Sequence, residues 1–297
     1  MPIWLLLTLL MTNWAQAEIA VRDDAGQALR LAAPARRIVS LAPHVTENLF
    51  AAGAGHLIVG VSDYSDYPEQ ARTLPRVGDS ASLDLEAIVA TKPDLVISWE
   101  SGNSAAHLAK LKTLGMPLFI SEPKKIDDIA STIERFGELA GTTAVAREAA
   151  RAFRAREADL RRRFGGRPPL RAFYQIWNMP LVTINGEQLI SKVMRLCGAE
   201  NVFAGQSQLA PTVSVEAVLA ANPEAIVASG MGNTRPPWLD MWKRWREMTA
   251  SARDNLFFVP ADLISRPTPR LLDGAQLLCK HMETARGRRV NAQAATK

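Results

Sequence analysis

Short apolar runs alternate with amphipathic stretches through the first part of the chain. RIVSLAP, LIVGVS, DLVIS and PLFIS are typical of buried strands, whereas HVTENLFAAGAG and NSAAHLAKLKTLG have helical spacing, the first with Thr46 as its expected N-cap. A small hairpin is expected before them, in IAVRDDAGQALRL. Because alternating strands and helices form parallel sheets with right-handed crossovers, the pattern predicts an α/β lobe over residues 18–125.

A helical region interrupts this alternation over residues 126–167. KIDDIASTIERFGELAG is followed by TTAVAREAARAFRAREADLRRRFGG, in which Val145, Phe153 and Leu160 recur at near-helical spacing. The strand–helix pattern returns with LRAFYQIW and continues to NLFFVPADL, which predicts a second lobe over residues 168–297. The expected fold class is therefore α/β, with two lobes and a long helix between them.

One pattern occurs in both predicted lobes. LDLEAIVATKPDLVI in the first and VSVEAVLAANPEAIV in the second share a capping residue, a glutamate two places later, a short apolar helix, a proline and an apolar strand. The repeated glutamates are Glu86 and Glu216. A single glutamate in a first helical turn needs no function, since the helix dipole favours it there. The repetition instead indicates that the two lobes are similar in structure.

The N-terminus has the features of an export signal. An apolar core in MPIWLLLTLLMTNWAQAE is followed by Ala15-Gln16-Ala17, a small-x-small cleavage pattern, although no lysine or arginine precedes the core. The run is too short for a permanent membrane span. We expect residues 1–17 to be a signal peptide cleaved after Ala17, leaving a soluble periplasmic protein. The alternative is a buried N-terminal helix.

The chain has two cysteines, Cys197 and Cys279. In an oxidising compartment, an even and minimal count predicts one disulfide bond. Two buried free thiols are the alternative. With no histidine cluster nearby, the pair does not indicate a zinc site.

Charge and motifs argue against two classes of protein. The net charge is +5, but much of the excess lies in AREAARAFRAREADLRRRFGGR without a nucleic-acid-binding motif, so no nucleic-acid partner is expected. The chain lacks a glycine-rich dinucleotide loop after a strand, a phosphate-binding P-loop, a GxSxG elbow and an HExxH motif. Its four histidines show no metal-ligand spacing. We therefore expect no enzyme, catalytic residue, resident metal or catalytic cofactor; an exported α/β enzyme is a remote alternative.

A ligand-binding protein is better supported. Ligands of parallel α/β folds bind beyond the carboxyl ends of the strands, and aromatic and polar residues follow several predicted strands. Such aromatic faces suit a large, flat, partly apolar ligand. The spacing of Trp238, Trp242 and Trp245, in contrast, predicts a helix face packed on the lobe. The candidate ligand-binding residues are His44, Tyr64, Trp99, Trp177, Asp262 and Arg266, with Asp66, Tyr67 and Glu100 beside them.

The chain resembles the periplasmic substrate-binding proteins with a helical backbone (class III) and, within them, the cobalamin-binding branch of vitamin B12 import. The resemblance covers nearly all of the chain after the signal segment. It rests on RIVSLAPHVTENLFAAG, GVSDYSDYP, LDLEAIVATKPDLVISW, LCGAENVFAG, VSVEAVLAANPEAIV and PTPRLLDGAQLLC. It implies two Rossmann-like lobes joined by a rigid helix, and a monomer that captures cobalamin or a related corrinoid in the inter-lobe cleft for an ABC importer.

The resemblance also implies roles for individual residues. Positions that match Tyr64, Trp99 and Asp262 contact the corrinoid in the family. Glu86 and Glu216 match glutamates that pair with arginines on the permease dimer in the membrane. Positions that match Cys197 and Cys279 form a disulfide bond.

The chain departs from the family pattern at several positions. Where the family carries a tryptophan before each docking glutamate, the loops here read GDSAS and QLAPT. Ser265 replaces an acidic ligand contact, and His44 stands where a small residue occurs. The neighbourhood of Trp177 could replace part of the lost aromatic surface. The ligand could therefore be cobalamin, a precursor such as cobinamide, or, as the alternative function, haem or a ferric siderophore bound by the same fold.

Overall fold

The computed structural model of the protein describes residues 18–79, 81–230 and 232–295, with side chains up to residue 291. The predicted signal peptide and its cleavage site after Ala17 lie outside the described residues. Among the helices that are described, none has the length and apolar character required to cross a membrane.

The first lobe is a small hairpin followed by a parallel sheet. Its strands are β1 (Ile19–Arg22), β2 (Ala28–Leu31), β3 (Ile38–Ser40), β4 (Ile58–Val61), β5 (Leu95–Trp99) and β6 (Leu118–Ser121). Its helices are α1 (Pro43–Ala51), α2 (Leu85–Ala90) and α3 (Ala105–Thr113), with 3-10 turns at Gly55–Leu57 and Glu69–Thr73. The hairpin pairs β1 with β2, and the sheet has the order β4-β3-β5-β6.

Two helices, α4 (Ile126–Ala140) and α5 (Thr143–Phe164), follow the first sheet and pack closely against each other. The buried face of α5 includes Ala146, Ala150 and Phe153. Val145, which we expected on that face, is exposed, because the apolar stripe runs one position further along the helix.

The second lobe contains the other parallel sheet. Its strands are β7 (Leu170–Gln175), β8 (Trp177–Asn178), β9 (Leu181–Val182), β10 (Ala199–Asn201), β11 (Ala225–Ala228) and β12 (Leu256–Phe258). Its helices are α6 (Leu189–Leu196), α7 (Val215–Ala221), α8 (Thr249–Ala252), α9 (Ala261–Ile264) and α10 (Leu271–Ala295), with a 3-10 helix at Pro237–Arg244. The sheet has the order β10-β7-β11-β12, and β8 and β9 form a short hairpin.

The two sheets have equivalent connections. In each sheet, the first strand along the chain (β3 or β7) lies second in the spatial order. The next strand (β4 or β10) is the edge strand beside it, and the remaining two strands follow on its other side. The repeated motif forms α2 in one lobe and α7 in the other. Asp84 accepts a hydrogen bond from the Ala87 amide at 2.9 Å, and Ser214 accepts one from the Ala217 amide at 3.1 Å. The duplication is thus present in topology and in helix capping.

The first helix of the sheet begins earlier than we expected. Pro43 starts α1, where its missing N–H costs nothing and its fixed φ suits a helix. Thr46 therefore lies inside the helix and is not its N-cap. Its hydroxyl bonds to the Ser65 hydroxyl at 3.0 Å, which ties α1 to the loop after β4.

One hydrophobic core extends through both lobes. It includes Phe119 of the first sheet, Phe136 of α4, Phe153 of α5 and Tyr174 of the second sheet. Because the core is continuous across the helix pair, the domain bounds at residues 125 and 167 stay a prediction.

Cys197 and Cys279 form a disulfide bond with an S–S distance of 2.06 Å. The bond joins the end of α6 to α10, both of which pack in the second lobe, and the predicted pairing is confirmed. The alternative of two free thiols is wrong.

Candidate ligand-binding cleft

A cavity of about 510 Å³ lies between the lobes. Trp99, at the carboxyl end of β5, forms one wall, and Leu189, at the start of α6, contributes from the second lobe. The full lining is Trp99, Ser101, Glu122, Pro123, Lys124, Lys125, Glu187, Gln188, Leu189, Lys192, Leu209, Ser265 and Pro267. The cleft therefore combines apolar surface with polar and charged groups, as ligand sites do.

His44 and Trp99 form an aromatic pair beside this cavity. Their rings meet edge to face, with centroids 5.5 Å apart and planes at 82°. His44 is only 4% exposed, and its Nε2 atom is buried without a hydrogen-bond partner. Burial, followed by the nearby Arg266 guanidinium, lowers the pKa of His44 to about 3. The imidazole is therefore neutral at physiological pH.

An inter-lobe ion cluster, formed by Glu47, Asp66, Asp262, Arg266 and Arg270, lies next to this pair. Arg266 Nη1 donates to Asp66 Oδ1 at 2.8 Å and to Glu47 Oε1 at 3.1 Å. Arg270 makes a bidentate contact with Glu47, at 2.8 Å and 2.6 Å. The arginines and Asp262 come from the second lobe and the other two acids from the first, so the cluster joins the lobes.

In this cluster, opposite charges compensate for the burial of each ionised side chain. The Glu47 side chain is 2% exposed, and its two arginines offset the desolvation of its charge. Burial alone would raise the pKa of Asp66, but the hydrogen bond and positive charge of Arg266 outweigh it and lower that pKa. Asp262 lies 3.3 Å from Arg266 and also accepts a hydrogen bond from Asn233 at 3.1 Å.

The structure brings four of the six predicted residues together. His44 contacts Trp99, Arg266 acts electrostatically on His44, and Asp262 pairs with Arg266. Ser265 and Pro267, on either side of Arg266, line the cavity beside Trp99.

The other two predicted residues lie further from this group. Tyr64 is 76% exposed and adopts a left-handed backbone (φ 63°) in the loop that carries Asp66. Trp177 lies on the β8–β9 hairpin, where its indole N–H donates to the Met179 carbonyl at 3.1 Å. Its backbone carbonyl accepts a hydrogen bond from the Gln175 side chain of β7 at 3.4 Å. Trp177 is not among the residues that line the cavity, so its part in a site stays a prediction.

Sequence reasoning missed Glu47 and Arg270. Glu47 is one acid in the helix HVTENLF, where exposure is the ordinary state. It differs from an exposed acid only through partners 219 and 223 positions away. No local pattern carries that information.

The tryptophan-rich segment packs on its own lobe, as predicted. Trp242 is fully buried, and its indole donates to the Gln175 side chain at 2.7 Å. The segment is a 3-10 helix and not an α-helix, so the spacing predicted the packing better than the helix type.

Glu86 and Glu216 lie in the first turns of α2 and α7, and both are exposed. A backbone hydrogen bond and then the Ser214 hydroxyl lower the pKa of Glu216. Neither glutamate lines the cavity between the lobes. Both are therefore available to a partner outside the cleft.

Within the part of the chain that the structure describes, no three histidine, cysteine, aspartate or glutamate side chains are grouped so that they could hold a metal ion.

Known proteins share both the sequence pattern and the fold. The vitamin B12-binding protein of Vibrio cholerae is 40% identical over 255 residues, which cover 85% of this chain and 91% of that protein. The corresponding protein of Yersinia pestis is 38% identical over 248 residues, 84% of this chain and 86% of that protein.

Solved structures of periplasmic binding proteins have the same fold as this chain. The crystal structure of the periplasmic vitamin B12-binding protein of Vibrio cholerae superimposes with a TM-score of 0.79 at 39% identity, over 85% of this chain and 98% of that one. A periplasmic haem-binding protein from Roseiflexus superimposes with a TM-score of 0.71 at 23% identity, over 84% of this chain and 99% of that one, and shows the fold alone. Residues 38–263 match the family described as periplasmic binding protein, and the chain belongs to that family.

Proposed function

We propose that the protein is a periplasmic receptor that captures cobalamin or a related corrinoid between its lobes and delivers it to an ABC importer. The observation that carries this proposal is the 40% identity, over most of both chains, to a vitamin B12-binding protein. In this proposal residues 1–17 are the export signal, and the mature chain is a monomeric binding protein without catalytic activity.

The residues of the cleft suit a corrinoid chemically. A corrin is a broad, partly apolar macrocycle with amide side chains at its edge. Trp99 offers an aromatic face at the cavity, and the exposed Tyr64 ring, on the loop after β4, offers another. Asp262 and Arg266 offer an acceptor and a donor for amide groups. Trp177 adds aromatic surface, and the buried His44 supports the Trp99 ring.

Glu86 and Glu216 are, in this proposal, the docking points for the permease. Exposed acids on equivalent helices of two similar lobes suit a partner that is itself a symmetric dimer. Charge pairs at such a surface mainly set orientation and the association rate.

A receptor for haem or a ferric siderophore is the second candidate. The observation that favours it is His44, whose neutral imidazole lies beside the cleft and could approach iron.

Parallel titrations with cyanocobalamin, dicyanocobinamide and haemin separate the two candidates. If the protein is a corrinoid receptor, either corrinoid at micromolar concentration should quench its tryptophan fluorescence. The Soret band of haemin should then stay in place when the protein is added. A Soret shift that His44→Ala abolishes, with no corrinoid binding, would establish the second candidate instead.

The docking proposal has its own test. We expect Glu86→Ala and Glu216→Ala to impair uptake of cyanocobalamin by cells that depend on this receptor, because each removes one charge from the docking surface. Glu148→Ala, which removes an exposed glutamate from α5, is the matched control and should leave uptake intact. Strong loss of corrinoid affinity in Glu86→Ala or Glu216→Ala would show that these residues serve the cleft.

A further inference from the structure

The cavity between the lobes carries an excess of positive charge. Lys124 and Lys125, in the segment between β6 and α4, line it from the first lobe, and Lys192 of α6 lines it from the second. The lining also contains two acids, Glu122 and Glu187, so the three lysines leave it with a net positive charge. Because a charged cleft favours ligands of the opposite sign, this lining favours a ligand with a negative group.

The two acids of the lining do not neutralise the lysines closely. The Glu122 carboxylate accepts hydrogen bonds from the Ser101 amide at 2.9 Å and from the Ser101 hydroxyl at 3.0 Å, so it is engaged within the first lobe. The Glu187 carboxylate lies 3.7 Å from the Lys192 ammonium, and its side chain is 80% exposed. An exposed ion pair of this length is weak, so Lys192 remains available to another anion.

The acids that follow the lysines along the chain also have other partners. Asp127 pairs with Arg154 at 2.7 Å, on the far side from the lysines in sequence. Asp128 Oδ2 accepts hydrogen bonds from the backbone amides of Lys124 at 2.9 Å and Lys125 at 2.8 Å. Among the ion pairs of the described residues, none includes the ammonium group of Lys124 or Lys125.

Backbone contacts hold this part of the cavity in place. The two hydrogen bonds to Asp128 fix the segment that carries Lys124 and Lys125. Lys192 Nζ donates to the Lys124 carbonyl at 2.9 Å, which brings the second lobe to the same segment. An ammonium group has three donor hydrogens, so this contact leaves Lys192 with donors for a ligand. The lysines line one cavity in the structure as it stands, and preorganisation of this kind favours binding.

The same cavity offers an aromatic surface, since Trp99 is part of its lining. A ligand that uses both features has an apolar ring system and an anionic oxygen group on a side chain. Cobalamin has this combination, because its nucleotide loop contains a phosphodiester. A corrinoid with a free side-chain carboxylate has it as well, whereas cobinamide has neither anion.

We propose that Lys124, Lys125 and Lys192 form an anion subsite of the cleft, which binds a phosphodiester or carboxylate carried on a side chain of the corrinoid. The inference rests on the proposed function and adds to it the class of corrinoid that is preferred. Hydrogen bonds from an ammonium group to an anionic oxygen are about twice as strong as those between neutral groups. The subsite therefore selects among corrinoids that the aromatic surface alone would bind alike.

Calorimetric titration with three corrinoids tests this proposal. Cyanocobalamin carries the phosphodiester, dicyanocobyric acid carries a carboxylate, and dicyanocobinamide carries neither. We expect the double variant Lys124→Gln/Lys125→Gln to bind at least one of the two anionic corrinoids roughly tenfold more weakly than wild type, and to bind dicyanocobinamide equally well. Lys192→Gln should show the same selective loss.

The variants are chosen to leave the fold intact. Glutamine keeps the backbone carbonyl at position 124, so the contact with Lys192 remains in the double variant. Lys110→Gln, which removes an exposed lysine of α3 outside this cavity, is the matched control and should leave all three affinities unchanged. Circular dichroism checks that each variant is folded.

Sodium chloride provides a second readout. Because salt screens charge pairs at an open site, raising its concentration should weaken the binding of the anionic corrinoid to wild type. The double variant, and dicyanocobinamide with either protein, should respond much less.

The possible outcomes are distinct. A selective loss with cyanocobalamin identifies the phosphodiester as the anion, and a selective loss with dicyanocobyric acid identifies the carboxylate. If no corrinoid binds the wild-type protein, the proposed function is wrong and the subsite falls with it. If the corrinoids bind, but the lysine variants lose no affinity or lose it equally for all three, the function stands and the anion subsite is overturned.

Discussion

His44 is a buried, neutral imidazole that packs edge to face on Trp99, and burial and then the charge of Arg266 lower its pKa. Its ionisation therefore affects the stability of the whole protein. Above pH 6.5 it is neutral in both the folded and the unfolded chain. Below that pH the unfolded chain binds a proton that the folded protein does not take up until the pH approaches about 3.

We expect the free energy of unfolding to fall as the pH drops from 6.5 towards 3. A difference of one bound proton between the unfolded and the folded chain changes the free energy of unfolding by about 1.4 kcal/mol per pH unit. Between pH 7 and pH 5, wild type should therefore lose about 2 kcal/mol more unfolding free energy than His44→Gln. Urea unfolding of both proteins at the two pH values measures this difference. Parallel losses would show that His44 is protonated in the folded protein.

At the residue scale, position along a strand was the informative signal. The location of His44, Trp99 and Asp262 at the carboxyl ends of strands could be predicted, because apolar strands and their ends can be recognised from the local sequence. Glu47 and Arg270 could not, because their burial results from a contact between two distant parts of the chain.

The short helices α2 and α7 depend on their first residues. Helices this short are unstable alone, and in each the N-cap side chain, Asp84 or Ser214, accepts a hydrogen bond from a backbone amide of the first turn. These helices carry Glu86 and Glu216, so capping also fixes the position of the proposed docking charges.

We expect Asp84→Ala and Ser214→Ala each to lower the free energy of unfolding by about 1 kcal/mol, because an N-terminal amide loses its partner. Ser104 provides a matched control, since it occupies the N-cap position of α3 without a side-chain capping bond. Ser104→Ala should change stability by less than about 0.5 kcal/mol in the same denaturant titration. Equal losses at all three positions would rule out capping as the cause.

At the element scale, the sequence was a good guide to strands and to the repeat. Three strands of the first sheet lie within the apolar runs that predicted them, and β5 extends one residue beyond its run, to Trp99. Fully buried strands have a strong compositional signal. The start of α1 was misplaced because Pro43, which begins the helix, was grouped with the preceding apolar run RIVSLAP. The 3-10 geometry of Pro237–Arg244 was missed because its apolar spacing resembles that of an α-helix.

At the scale of the whole molecule, the two lobes are held together by a shared core and by the inter-lobe ion cluster. A hydrogen bond from the Asn48 side-chain amide to the Pro267 backbone carbonyl, at 3.0 Å, adds to this connection. Buried charges of this kind are stable only while all partners are present. The cluster therefore makes the geometry of the cleft sensitive to a single acid.

We expect Glu47→Gln to lower the free energy of unfolding by about 3 kcal/mol, because Arg266 and Arg270 lose the charge that compensates them. Glu69→Gln, at the exposed pair with Arg72, should change stability by less than about 0.5 kcal/mol. Chemical denaturation at neutral pH measures both changes. A Glu47→Gln protein as stable as wild type would show that the cluster does not hold the lobes together.

Corrinoid binding in the cleft lined by Trp99 is central to the proposed function. Isothermal titration calorimetry with cyanocobalamin tests it most directly, on wild type, Trp99→Ala and Trp245→Ala, the last of which lies outside the cleft on the second lobe. We predict one site per chain in wild type, an affinity reduced by roughly tenfold or more in Trp99→Ala, and little change in Trp245→Ala. No binding to wild type, or equal affinity in all three proteins, would contradict the account.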